Sequence, residues 1–244
     1  MTPKKQVVLF IVEGYNDQNV LAASLEKLLT TDSVKFEVTN GDITSDYSGK
    51  NVTAKIGDCI NKHCRDYGYE KSDIAEAILL VDMDGAYIDT AAILRNGDYC
   101  KPYYDSDNIL CSNPDSLKKT HIQKQMNLNR LITLPYVIRT IPFSVYFFSC
   151  NLDHVICGNA NLTEKEKRVA AKEFRKKFGL DIVGFLAFFR DADVAVGTSY
   201  DDSWGIIKQN TNSLKRSSNL HIFLSSKAAR KPRDFTDILH CSDR

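Results

Sequence analysis

Two short apolar runs, each ending in an acidic residue and then glycine, constrain this chain more than any other feature. The first covers residues 7–12 and leads into Glu13, and the second covers 77–81 and leads into Asp82 and Asp84. Continuous apolar runs of this length are typical of strands that are buried on both faces of a parallel sheet. Because α/β folds bind their ligands at the carboxyl ends of such strands, we expect the three carboxylates to share one sheet edge.

The residues around these runs predict alternating helices and strands. Apolar residues at helical spacing predict helices over 18–29 and 53–67, and alternation predicts a strand over 34–38. The order strand, helix, strand, helix, strand indicates a parallel sheet with right-handed crossovers. A loop rich in Gly, Asp and Ser over 40–51 can overhang the carboxylates. We predict another helix over 86–94.

The second half of the chain has weaker patterns. Residues 97–114 lack periodicity and predict a long loop, and the aromatic run 143–148 favours a buried strand or the start of a buried helix. Helices are predicted over 115–131, 162–179 and 181–189, and a last strand over 220–224. In the first of these helices, Lys124 and the other basic residues are expected mostly on the polar face.

These patterns predict a boundary between residues 95 and 115. The fold class we expect is α/β, with a parallel-sheet core over residues 5–95 and a mainly helical C-terminal part over residues 96–244. Whether the second part packs with the core as one unit stays open at this point.

Composition limits the class of protein. Hydrophobic residues make up 43% of the 244 residues and charged residues 26%, which is ordinary for a globular domain. No apolar run approaches the roughly 18–20 residues of a membrane span, and the N-terminus lacks the apolar core of a signal peptide. The seven cysteines are odd in number and include no CxxC pair, which favours reduced thiols over a zinc site. We therefore expect a cytoplasmic protein with no membrane partner.

The two acidic motifs together resemble a known family. Residues 13–17, EGYND, follow an apolar strand, and the sequence DMDG begins at Asp82. This ordered pair is similar to the Toprim domain of topoisomerases, bacterial primases, OLD-type and related defence nucleases, and ribosomal-RNA maturases. The resemblance covers about residues 5–95. It implies a Rossmann-like core, DNA or RNA as partner, and hydrolysis of phosphodiesters, with phage defence as a setting.

The same motifs suggest roles for four acidic residues. Asp82 and Asp84 stand two apart at a strand end and can turn toward one cation, and their oxygens suit Mg²⁺ or Mn²⁺. Glu13, on the neighbouring strand, can complete the metal site or act as general acid and base. The resemblance implies that Glu13 transfers a proton, that Asp82 and Asp84 hold the metal, and that Asp17 binds a second ion or orients the first. Two structural alternatives stay open: Asp82 and Asp84 as turn formers, and Asp17 as a helix cap.

Other functions are also open. The run into Asp82 and Asp84 resembles the first motif of haloacid-dehalogenase-type phosphatases, with Asp82 as nucleophile and residues 201–202 as a late acidic motif, although Ala86 replaces the expected Thr or Ser. A non-catalytic Toprim domain that binds nucleic acid or a protein is a third reading. No GxxxxGK[ST] motif occurs, so an OLD-type ATPase would be a separate partner chain. Self-association as a homo-oligomer is also left open.

Overall fold

The computed structural model describes residues 6–30, 32–46 and 49–229. Its centre is a mixed, mostly parallel sheet of an α/β fold. The first half supplies three strands and two helices: β1 (Val7–Val12), α1 (Tyr15–Leu28), β2 (Ser33–Val38), α2 (Val52–Tyr67) and β3 (Ile74–Asp82). Strand β1 pairs in parallel with both β2 and β3, which confirms the predicted order of alternating strands and helices.

The second half contributes to the same sheet. Its elements are β4 (Ile93–Arg95), β5 (Tyr103–Tyr104), β6 (Ile109–Cys111), α3 (Pro114–Leu131), β7 (Tyr136–Val137), β8 (Ile141–Ser149), α4 (Leu152–Cys157), α5 (Glu164–Phe178), α6 (Ile182–Arg190), α7 (Tyr200–Ile207), β9 (Ser217–Ser218) and α8 (Leu220–Ala228). Strand β8 runs parallel to β3, in a register that pairs Asp82 with Phe148. The central sheet therefore includes a strand from beyond the boundary predicted between residues 95 and 115.

Alternate residues of the central strands enter two apolar layers. In β1, Val8 and Phe10 pack on one face of the sheet, and Leu9 and Ile11 pack on the other. Helices α1, α5, α6 and α8 cover the first face, whereas α2, α3 and α7 cover the second. Since side chains alternate across a strand, an all-apolar strand is stable only when both faces are covered, as here.

The predicted helix over 86–94 is wrong. Asp84 and Gly85 have φ angles of 50° and 68°, which reverse the chain directly after β3. A side chain at Gly85 would collide with Ile109. The following residues form one 3₁₀ turn and then β4, which pairs with β6. The predicted loop over 97–114 likewise contains β5 and β6, so the two segments together build a small three-stranded sheet.

The predicted last strand over 220–224 is also wrong, because these residues begin helix α8. The preceding residues 217–218 form β9 and already pair with the end of β8. Leu220, Phe223 and Leu224 are buried at the spacing of a helical stripe. Tertiary packing therefore overrides the strand preference of this aromatic and β-branched segment.

Candidate functional site

The structure brings three of the predicted acidic residues together. Glu13 directly follows β1, Asp82 ends β3, and Asp84 lies two residues later, at the carboxyl ends of adjacent parallel strands. All three line one cavity of about 630 Å³. We call this cavity the acidic cleft; its walls come from residues 98–104, from residues 160–164 at the start of α5, and from Asn151 and Lys167.

Glu13 has an unusual environment for a carboxylate. Its Oε1 atom is buried and has no hydrogen-bond partner among the described residues. Burial raises the pKa of Glu13 well above its ordinary value, and the nearby charge of Asp42 raises it further. An unpartnered carboxylate oxygen away from water costs free energy, which a proton or a cation would recover.

Asp82 is held by the start of helix α4. Its Oδ1 atom accepts a hydrogen bond from the backbone N–H of Leu152, at 2.9 Å. Burial raises the pKa of Asp82 well above its ordinary value, and repulsion from Glu13 adds to the shift. Glu13 and Asp82 therefore resist carrying two negative charges at once unless a cation lies nearby.

Asp84 has protein partners on both oxygens. Its Oδ2 atom lies 2.7 Å from Nζ of Lys124, and its Oδ1 atom accepts a hydrogen bond from the Tyr104 hydroxyl at 3.1 Å. The left-handed backbone at Asp84 turns the side chain away from the direction that β3 would give it. In this structure Asp84 is thus the partner of a lysine and a tyrosine.

Lys124 is the buried cation of the site. Its side chain is 1% exposed, and its Nζ also lies 2.9 Å from Asp42. Burial alone lowers a lysine pKa, but Asp42 and Asp84 outweigh it, and the pKa of Lys124 is raised. Burial alone would raise the pKa of Asp42, but Lys124 and a hydrogen bond from Thr44 lower it to about 2. Lys124 and Asp42 therefore stabilise each other in their charged forms.

The prediction that Lys124 lies on a polar helix face is wrong. Buried residues of α3 include His121, Lys124, Leu128 and Leu131, which form one continuous stripe. The spacing of three, four and three residues was visible in the sequence and is the spacing of a core-facing stripe. A lysine inside such a stripe indicates a buried acidic partner, and this signal could have identified Lys124.

Asp17 lies next to the acidic cleft on the first turn of α1. Its Oδ2 atom accepts a hydrogen bond from the Gly14 N–H at 2.9 Å, so it caps the helix as the structural alternative predicts. Burial raises the pKa of Asp17 to about 6, against the opposing effect of that hydrogen bond. Nearby, Lys167 forms an ion pair with Asp153 at 3.1 Å and lines the acidic cleft.

The donor set fits a hard divalent cation in its chemistry. Glu13 and Asp82 supply carboxylate oxygens, and Oε1 of Glu13 has no hydrogen-bond partner among the described residues. Within residues 6–30, 32–46 and 49–229, however, no three Asp, Glu, His or Cys side chains stand in a ready metal-binding arrangement. Asp84, the third predicted ligand, contacts Lys124.

The acids that the phosphatase alternative requires do not meet. Asp201 lines a different cavity, beside Trp204 and Tyr146. Asp202 accepts hydrogen bonds from Thr198 at the start of α7. The pair 201–202 therefore does not contribute to the acidic cleft around Asp82.

The described part of the chain contains no helix with the length and apolar character needed to cross a membrane.

Comparison with known proteins does not identify a family for this chain. No family model matches the chain, and neither a curated protein nor a solved structure is significantly similar to it. The Toprim resemblance therefore rests on the two motifs and on nothing else.

Proposed function

We propose that this protein is a nuclease that hydrolyses phosphodiesters of DNA or RNA with Mg²⁺ or Mn²⁺, through a Toprim-like core. The observation that carries the proposal is the buried Oε1 of Glu13, which has no hydrogen-bond partner in the described part of the chain and lies beside Asp82 at the carboxyl edge of two adjacent parallel strands. Mg²⁺ typically binds one or two carboxylates and completes its coordination with water and substrate phosphate. Two neighbouring carboxylates at an open cleft suit that requirement.

In this proposal Glu13 and Asp82 hold the ion; the motif resemblance by itself implies Asp82 and Asp84 as the ligands and Glu13 as the residue that transfers a proton. A divalent ion bound here would polarise a phosphoryl oxygen and acidify a water molecule. Glu13 moves a proton between water and the leaving group. Asp17 remains the second acid of the motif and orients Glu13 through the turn at Gly14.

Lys124 engages Asp84 at the proposed site. A divalent ion held at Glu13 and Asp82 would compete with Lys124 for the Asp84 carboxylate. Lys124 also neutralises Asp42, which otherwise adds negative charge beside Glu13. The lysine thereby lowers the repulsion that an approaching phosphate group meets.

A cleavage assay tests the proposal. Purified protein is incubated with end-labelled single-stranded and double-stranded DNA and RNA in Mg²⁺, Mn²⁺ or EDTA. Cleavage is expected with metal and absent in EDTA, and Glu13→Gln is expected to lower its rate at least 100-fold, as for loss of a general acid–base group (about 10²–10⁴). Glu26→Gln, on the exposed side of α1, is the matched control. Undiminished cleavage by Glu13→Gln would reject the proposed role of the site.

A further inference from the structure

Two tyrosines form an aromatic surface on the wall of the acidic cleft. The rings of Tyr99 and Tyr103 stack with their centroids 4.6 Å apart and their planes inclined by 27°. Both residues line the same cavity as Glu13 and Asp82. Tyr103 is 37% exposed, so this ring is not simply a part of the core.

This aromatic pair is fixed relative to the acidic residues. The backbone N–H and C=O of Tyr104 both bond to the side-chain amide of Asn161, each at 2.8 Å. The Tyr104 hydroxyl donates to Asp84, and the Tyr99 carbonyl accepts from Ser112 at 2.9 Å. The segment therefore presents its rings at a set position, which reduces the entropy lost when a ligand stacks on them.

The same wall also carries positive charge. Lys101 lies between the two tyrosines in sequence, is exposed and lines the acidic cleft, as does Lys167 from α5, which is paired with Asp153. Asp98 and Glu164 also line the cleft, and a divalent cation at Glu13 and Asp82 would offset this negative charge when a phosphate enters. Aromatic rings interleaved with cations are the arrangement with which proteins bind single-stranded nucleic acid, because every base has a face that can stack.

The aromatic wall limits the form of the ligand. A base can stack on the Tyr99–Tyr103 pair only when it has left its own stack, which a single strand permits and an intact duplex does not. The cleft of about 630 Å³ joins this wall to the carboxylates of Glu13 and Asp82. One strand with an unstacked base can therefore contact both.

We infer that the acidic cleft binds a single-stranded segment of nucleic acid, with one base stacked on the Tyr99–Tyr103 pair and an adjacent phosphate facing Glu13 and Asp82. This inference specifies the substrate class of the proposed nuclease and in that respect rests on it. Strand binding itself does not depend on whether the site cuts.

Fluorescence anisotropy tests the binding. The probes are labelled oligothymidylate, oligouridylate, and the same oligothymidylate annealed to its complement, with Ca²⁺ in place of Mg²⁺. The single strands are expected to bind more tightly than the duplex. Tyr103→Ala is expected to weaken single-strand binding about 5- to 100-fold, in line with the stacking contribution of one base.

Two further variants make the test specific. Tyr103→Phe keeps the ring and is expected to bind as the wild type does. Tyr67→Ala removes an exposed tyrosine from the end of α2, on the opposite edge of the sheet, and is expected to have no effect. Equal affinity for duplex and single strand, or wild-type binding by Tyr103→Ala, would overturn the inference.

Cleavage assays on the same proteins separate this inference from the proposed function. If binding follows the expected pattern and neither Mg²⁺ nor Mn²⁺ supports cutting, the nuclease proposal fails and the single-strand site stands. If cutting depends on Glu13 while Tyr103→Ala binds and cuts like the wild type, the nuclease stands and the stacking site is rejected.

Discussion

Nζ of Lys124 lies 2.7 Å from Oδ2 of Asp84, inside the protein and between two elements about 40 residues apart in the chain. Asp84 lies two residues after β3, Lys124 lies in α3, and 1% of the lysine side chain is exposed. Lys124 therefore places a fixed positive charge beside Asp84, where the motif by itself predicts only a metal ion. The first prediction concerns its removal.

Lys124→Met is expected to lower the free energy of unfolding by about 1–3 kcal/mol in EDTA, because it leaves the partly buried Asp42 and Asp84 without their cation. Saturating Mg²⁺ should restore part of this loss if a divalent ion can take over the charge. Denaturant titrations with EDTA and with Mg²⁺ measure both effects. Lys119→Met, at an exposed position of the same helix, is the control and should change stability little. Equal stabilities of the two variants would contradict a structural role for the buried pair.

Divalent metal is expected to stabilise the wild-type protein by about 1–3 kcal/mol at saturation, as a ligand of the native state does. Asp82→Asn removes one charge that repels Glu13 and keeps an oxygen that can accept the Leu152 N–H. The variant should be at least as stable as the wild type in EDTA and should lose the stabilisation by metal. Thermal melts in Mg²⁺, Mn²⁺ and EDTA test this.

Asp89→Asn is the control for that experiment. Asp89 follows the same strand, its carboxylate is exposed, and it caps a 3₁₀ turn. It should keep the full response to metal. If wild type and both variants melt alike in every buffer, the carboxylates at the end of β3 are structural.

The pH dependence of stability without metal should report on Asp17. Its pKa is raised from 3.8 to about 6 in the folded protein, so the folded state binds this proton more tightly than the unfolded state. Its contribution to stability is therefore fully present below about pH 4 and is lost as the pH rises through about 6, a change of about 2–3 kcal/mol. Asp17→Asn keeps an oxygen for the Gly14 N–H and should remove this part of the dependence.

His121 acts in the opposite direction over the same range. Burial lowers its pKa from 6.5 to about 4, so stability that depends on its neutral form is lost as the pH falls through that interval. The informative quantity is therefore the difference between the wild-type and Asp17→Asn curves in EDTA. That difference should grow steadily between about pH 4 and 6, and a constant difference would show that Asp17 titrates normally.

Phosphomonoesters distinguish the nuclease from the phosphatase alternative. We expect no hydrolysis of p-nitrophenyl phosphate and no phosphoryl mimic such as beryllofluoride trapped on Asp82, because the late acidic pair 201–202 does not line the acidic cleft. Steady-state assays and fluorine NMR of wild type and Glu13→Gln test this. Phosphatase activity that survives Glu13→Gln would favour the alternative.

The sequence predicted the parts of the fold that local patterns determine. The buried runs of β1 and β3 and the helix that Gly68 ends follow from periodicity and from capping chemistry, which act over a few residues. The predictions for 86–94 and 220–224 were wrong because long-range contacts determine the secondary structure of these segments. The first is redirected by its pairing with β6, and the second is packed as a helix against the sheet.

The site follows the same division. Strand ends and adjacent acids are local features, so Glu13, Asp82 and Asp84 were identifiable from the sequence. The partners that set their charge come from distant elements: Lys124 from α3, Tyr104 from β5 and the Leu152 N–H from α4. Such contacts depend on how distant elements pack together, which local sequence patterns do not reveal.

The parallel pairing of β3 with β8 has a consequence for how the protein matures. The paired residues Ala77 and Phe143 are 66 positions apart, so the sheet edge that carries Asp82 is completed only after most of the chain has been synthesised. Until then β3 presents an unpaired apolar edge of the kind that recruits other chains. A fragment ending near residue 95 would contain every motif acid and still lack the Leu152 N–H and Lys124. We expect this fragment to aggregate and not to work as an independent domain, because the groups that contact its acidic residues lie beyond its end.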